Sequence, residues 1–256
     1  MLSSFRVGSN VLVQGASRGI GLEFVRQLAA DPSVSRLFAS HRPGRCSATL
    51  ARLASDQPKL GLLELDVTDE SSIASASSRV RQSNSTLDLL VNCSGLLHDA
   101  DRELAPEKRL SEIGSESLLH SFAVNAIGPL LMAKHFEGLF NRAGKAVFAS
   151  ISARVGSIGD NRLGGWYAYR GSKAALNMFT RTLAIEWARG RKNLICISLH
   201  PGTTDTDLSR PYQANVPPGK LFSPERTVSQ LLAVLDSVTS DSTGRFLAWD
   251  GSEIPW

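Results

Sequence analysis

Tyr169 and Lys173 stand four residues apart, at the start of an apolar run with helical spacing (Leu176, Phe179, Leu183, Trp187). Residues four apart on a helix share one face, one turn above the other. A phenol held beside an ammonium is a candidate proton donor, because the positive charge favours the phenolate and lowers the tyrosine pKa toward working pH. The other two tyrosines have no such partner: Tyr167 is followed four residues on by Gly171, and Tyr212 by Val216. Many helices hold such a pair by chance, so it gains meaning only with a second feature far away in the chain.

That feature runs from Val11 to Gly21: Val-Leu-Val-Gln-Gly-Ala-Ser-Arg-Gly-Ile-Gly. A buried strand passes through three glycines into an amphipathic helix. Gly15 permits the tight turn, Gly19 lets a phosphate approach the helix N-terminus, and Gly21 lets helix and sheet pack closely. Ser17, Arg18 and Ile20 complete the loop. A dinucleotide site without a 2′-phosphate usually carries Asp or Glu at the end of the second strand. Here that strand ends Ala39-Ser40-His41-Arg42. Arg18 and Arg42 are instead placed to meet a 2′-phosphate, so the expected cofactor is NADP(H).

These motifs need elements to position them. Apolar segments at residues 10–14, 36–40, 60–65, 87–92, 145–150, 194–199 and 244–249 read as strands. Residues 19–30, 48–55, 68–81, 115–140, 167–188 and 223–237 read as helices. Continuous apolar strands alternating with helices predict the α/β class: a single-domain Rossmann fold, with a doubly wound seven-stranded parallel sheet and helices on both faces. Residues 1–256 then form one domain, with a cofactor-binding half at about 1–145 and a catalytic and substrate half at about 146–256. Two loops are long. Residues 98–112 are charged, and residues 201–221, with Pro211, Pro217 and Pro218, are expected to cover substrate.

Composition narrows the function classes. The chain has 256 residues, 42% of them hydrophobic, enough for one large core. No apolar run approaches the roughly 18–20 residues that cross a bilayer. The opening Met-Leu-Ser-Ser-Phe-Arg is too short and too weakly charged for a transit peptide, so a soluble, cytoplasmic protein is expected. Cys46, Cys93 and Cys196 are far apart with no CxxC, which reads as free thiols and no metal site. The net charge of +4 is scattered, without a run of four Lys or Arg. That speaks against a nucleic-acid partner and suits an anionic cofactor.

The two motifs, in this order and at this distance, resemble the short-chain dehydrogenase/reductase family across nearly the whole chain. Leu65-Asp66-Val67 is similar to the family segment beside the adenine. Val91-Asn92-Cys93-Ser94-Gly95 is similar to its Asn-Asn-Ala-Gly motif, with the middle two positions changed. Pro201-Gly202-Thr203-Thr204-Asp205-Thr206 resembles the loop over the nicotinamide, and residues 244–251 resemble the last strand with its Asp-Gly ending. Residues 155–161 and 164–169 resemble the C-factor-like branch, close to sniffer-type carbonyl reductases. The resemblance implies a catalytic tetrad of Asn, Ser, Tyr and Lys. In it Tyr169 protonates a carbonyl oxygen, while Lys173 holds the ribose and lowers the tyrosine pKa. Asn125 fits the asparagine. Pro129 four residues on lacks the N–H that would bond the carbonyl of residue 125, leaving it free for a water that relays a proton. Cofactor contacts are implied at Asp66, Val67, Asn92, Ser94, Gly95, Pro201, Gly202, Thr204 and Thr206, besides the glycine loop, Arg42, Tyr169 and Lys173.

The pattern breaks at the serine. The family hydroxyl usually stands three residues before the glycine found here as Gly156, and that position is Ala153. Ser152 is the expected substitute if the chain bulges at the strand end, since neighbours on a strand point to opposite faces. Ser157, or no serine, are the alternatives. Gln14 stands where the family commonly has threonine. The expected function is NADPH-dependent reduction of a ketone, aldehyde or quinone, with Trp166, Tyr167 and the 201–221 loop shaping an apolar pocket. The alternative is a catalytically weakened dinucleotide-binding sensor or signalling protein. Family members often pair through the two long helices, which implies a homodimer or homotetramer.

Overall fold

The computed structural model describes residues 2–256. Seven strands form one parallel sheet: β1 (Ser9–Gln14), β2 (Val34–His41), β3 (Leu60–Glu64), β4 (Leu89–Asn92), β5 (Ala146–Ile151), β6 (Leu194–His200) and β9 (Phe246–Ala248). Their spatial order is β3-β2-β1-β4-β5-β6-β9, every pairing parallel. The chain runs outward from β1 to β3, then returns to lay β4 on the other side of β1. That reversal opens a crevice beyond the carboxyl ends of β1 and β4, where ligands bind in sheets of this kind.

The strands are apolar on both sides because both faces are covered. On one face Val11, Val13, Ile197 and Leu199 pack with Phe24 and Leu28 of α1 (Gly19–Ala30), Leu50 of α2 (Ala48–Asp56), and Leu231 and Leu235 of α7 (Pro224–Ser237). On the other, Leu12, Leu90 and Phe148 pack with Ile73 of α3 (Glu70–Gln82), Met132 and Phe136 of α5 (Gly128–Phe136), and Trp187 of α6 (Tyr167–Ala188). Those faces supply the main apolar burial of the molecule.

The expected helix over residues 115–140 is not uniform. It runs as α4 (Ser115–Phe122), a π-turn (Ala123–Ile127), α5, and a 3₁₀ turn (Glu137–Leu139). In the π-turn the Gly128 N–H reaches back to the Ala123 carbonyl, five residues away. Pro129 has no N–H to give to the carbonyl four residues before it, so the regular ladder cannot continue there. Residues 203–222 contain a two-stranded parallel pair, β7 (Thr203–Thr204) with β8 (Leu221–Phe222), that the sequence pattern does not reveal.

Candidate active site

The glycine loop closes on itself as its residue types demand. Gly15 and Gly19 have φ of 79° and 56°, where a side chain is strained. A Cβ on Gly21 would lie 2.1 Å from the Gly15 carbonyl oxygen, and one on Gly15 2.7 Å from Ser94 Oγ. Gln14 joins both the N–H and the hydroxyl of Ser94 through its side-chain amide, so the unusual residue ties the β1 loop to the β4 loop. The N-terminus of α1 has no side-chain cap and no acidic residue in its first turn. Its free N–H groups and positive dipole end therefore face the crevice, a fit to a phosphate anion.

A cleft of about 1470 Å³ runs from this cradle to α6. Gly15, Ser17, Arg18, Gly19, Ile20, Gly21, Arg42, Asp66, Val67, Ser94, Gly95, Pro201, Gly202, Thr204 and Thr206 line it, and so do Tyr169, Lys173 and Ser152. Asn92 and Asn125 lie behind the wall. Asn92 Nδ2 donates to Ser150 Oγ while its Oδ1 is buried without a partner. Asn125 is fully buried in the π-turn. Its Nδ2 donates to the Leu96 carbonyl at 2.8 Å and to Ser172 Oγ at 3.0 Å, and its Oδ1 accepts from the Leu96 N–H at 2.7 Å. It thereby pins the loop after β4 to α6.

Tyr169 and Lys173 share the buried face of α6, 9% and 2% exposed. Lys173 Nζ lies 5.8 Å from the Tyr169 ring centroid and donates to the Ile151 carbonyl at 2.8 Å. Burial pulls the Lys173 pKa down to about 8, against an opposing pull from Cys93. The expectation of a lowered tyrosine pKa is corrected in its net direction. Burial pushes the Tyr169 phenol up to about 12, because the ring loses water while the ammonium points at a strand carbonyl.

Neither serine is free at the missing position. Ser152 Oγ donates to Asn177 Oδ1 of α6 at 2.7 Å, so its one proton is already engaged. Ser157 Oγ donates to the Pro255 carbonyl, and Ser157 does not line the cleft. Ala153 itself lines it, extended and without a hydroxyl.

Aromatic rings form the far wall. Trp166 packs edge-on to Tyr212 at 5.1 Å and to Tyr169 at 6.3 Å, and His98 meets Tyr212 at 6.1 Å. Rings from the loops at 98–112 and 201–221 thus meet each other, and Trp166 links them to Tyr169. Tyr167, expected in this wall, is 40% exposed and does not line the cleft, because it sits two residues, about 200° of helix, from Tyr169. Arg18 pairs with Asp207 at 3.6 Å, and Arg42 has a basic neighbour, Arg45, that the sequence reading passed over. Ser17 Oγ donates to the Arg45 carbonyl, which brings that turn to the glycine loop. Among the described residues no group of His, Cys, Asp and Glu could hold a metal.

Comparison with known proteins agrees with this geometry. Residues 9–217 match the short chain dehydrogenase family, and the chain belongs to it. A crystal structure of an NADPH-bound carbonyl reductase from chicken fatty liver superposes with a TM-score of 0.86 at 33% identity, covering 98% of this chain and all of that one. The carbonyl reductase Sniffer of D. melanogaster superposes with a TM-score of 0.85 at 25% identity, over 97% of this chain and 99% of its own. The C-signal of Myxococcus xanthus is 34% identical over 148 residues, 57% of this chain and 83% of that protein.

Proposed function

We propose that this chain is an NADP(H)-dependent oxidoreductase that reduces a ketone, aldehyde or quinone to its alcohol. One observation carries the reading: the uncapped α1 cradle and the Tyr169–Lys173 pair open into one cleft. The NADPH held by the chicken carbonyl reductase supports the same cofactor here, as do Arg42 and Arg45 at the strand end, where a carboxylate would repel a 2′-phosphate. When bound, the reduced nicotinamide supplies a hydride to the carbonyl carbon and is left oxidised. Tyr169 Oη gives its proton to the carbonyl oxygen, which completes the alcohol, and regains one from solvent. Lys173 stabilises the transient phenolate and holds ribose hydroxyls. A water on the Asn125 carbonyl, which Pro129 cannot bond, connects Lys173 to solvent. Trp166 and Tyr212 select flat, apolar carbonyl compounds.

The test follows NADPH oxidation with a panel of quinones, aldehydes and diketones. Turnover with NADPH well ahead of NADH is expected, and Tyr169→Phe is expected to lose about 10³-fold in kcat, the middle of the 10²–10⁴-fold range for a general acid. Unchanged turnover in Tyr169→Phe would refute the mechanism. A second reading, a dinucleotide-binding sensor, draws on Ala153 and on the C-signal likeness. It is favoured if NADPH binds tightly while no carbonyl is reduced. We place the protein in the cytoplasm as a homodimer or homotetramer. The free thiols of Cys46, Cys93 and Cys196 support a reducing compartment, and no helix among the described residues is long and apolar enough to cross a membrane.

A further inference from the structure

The family hydroxyl is missing at Ala153, and both nearby serines have their protons engaged elsewhere. A reductase built this way still needs a second donor for the oxyanion that develops on the carbonyl oxygen. His200 lines the same cleft as Ala153 and Tyr169. It is the last residue of β6, one past Leu199, which registers with Ile151. Ile151 is the residue whose carbonyl anchors Lys173, and the Leu199 carbonyl accepts the Ser152 N–H at 2.7 Å. His200 therefore stands beside the Ser152–Ala153 step, and it lines the cleft with Ala153, Tyr169 and Lys173.

The ring has a defined tautomer. The Arg154 N–H donates to His200 Nδ1 at 3.3 Å. An imidazole nitrogen that accepts a hydrogen bond carries no proton, so in the neutral ring the proton is on Nε2. The ring stays neutral at working pH: burial and the Arg154 charge hold its pKa down to about 4, against the pull of Asp250 and Asp160. We propose that the His200 Nε2–H takes over the task of the absent serine hydroxyl, donating a hydrogen bond to the carbonyl oxygen of the substrate beside the Tyr169 phenol. The ring gives a hydrogen bond and keeps its proton. Tyr169 still supplies the proton that ends on the alcohol, so the balance of the reduction is unchanged.

This inference rests on the reductase reading, and the test separates the two. NADPH-driven reduction of isatin, an aromatic vicinal dicarbonyl, is measured first in the wild type and in Tyr169→Phe, which decides the reading itself. If neither reduces isatin nor any quinone, aldehyde or diketone of the panel, both reading and inference fall. Three further variants then decide the inference. His200→Asn keeps an acceptor near Nδ1 for the Arg154 N–H, and its shorter amide has no donor at the reach of Nε2. It is expected to lose about 10²-fold in kcat, the low end for an oxyanion donor, with the NADPH KM within about twofold and the melting temperature unchanged. His200→Asn combined with Ala153→Ser is expected to recover about tenfold or more, which a merely structural histidine would not allow. Ala153→Ser alone is expected to change kcat less than about threefold, because the donor is already present. Undiminished kcat in His200→Asn, no recovery in the double variant, or a hundredfold gain in Ala153→Ser alone would each overturn the assignment. The last of these needs no variant at His200 to fold.

Discussion

Tyr169 sits where burial opposes its ionisation, and Lys173 where burial opposes its charge. The phenol is pushed up to about 12 and the ammonium down to about 8. Both shifts have the same cause, loss of water around a group whose charged form needs it. The phenol thus stays protonated, as a donor must, through the neutral range. The cation that would stabilise the phenolate is present below about pH 8 and disappears above it. The rate of carbonyl reduction should therefore be flat on the acid side and fall as pH rises through about 8. A kcat/KM profile for reduction across the neutral and alkaline range checks this sign. A rate that instead rose through that range would mean that Lys173 does not act as the cation. The Tyr–Lys spacing was legible in the sequence, but this balance was not. Spacing says that two groups share a helix face, not which carbonyl the ammonium turns to.

At the scale of elements, α6 packs against a turn that admits no side chain at Gly156. The 3₁₀ turn at Arg154–Gly156 packs on α6, and a Cβ on Gly156 would lie 2.7 Å from Lys173 Cβ and 2.9 Å from the Lys173 carbonyl carbon. Relief requires moving the turn or the helix, because backbone cannot rotate away. Gly156→Ala should cost about 1–3 kcal/mol, as overpacking does, and should lower kcat because Lys173 and Tyr169 move with α6. Gly190→Ala, where nothing stands within 4 Å, should stay within about 0.5 kcal/mol. Urea unfolding beside turnover for the two variants separates the cases; equal behaviour would remove Gly156 from the argument. Most of the framework was legible because long apolar periods announce their elements, and α6 runs over the expected residues 167–188. What escaped were features set by contacts far apart in sequence. Pro129 announced an open carbonyl at residue 125, yet the π-turn also has Gly128 lying against Val67, where a Cβ would sit 2.7 Å from the valine Cβ. The β7–β8 pair is two residues long, below any periodic signal. The Ser152–Asn177 bond, which settles where that hydroxyl points, links positions 25 residues apart.

At the scale of the molecule, the helices that build the site also carry apolar side chains on their outer surface. Met178 is 64% exposed and Ile185, seven residues on, is 48% exposed, so they share one outer face of α6. Leu119 on α4 and Ile127 at the π-turn are exposed as well, and α4 packs beside α6. Large apolar side chains gathered on neighbouring helices favour association, since pairing removes them from water at about 25 cal/mol per Å². Light scattering on the purified chain should thus give a multiple of the 27.6 kDa protomer. Met178→Asp together with Ile185→Asp should shift it toward the protomer, because burying two carboxylates without partners costs several kcal/mol. Tyr169 and Lys173 lie on the opposite, buried face of the same helix, so NADPH turnover per protomer should survive the shift. A wild-type mass of one protomer would remove the homo-oligomer from the proposal. A loss of turnover that tracks the loss of mass would show instead that pairing holds α6 in its working position.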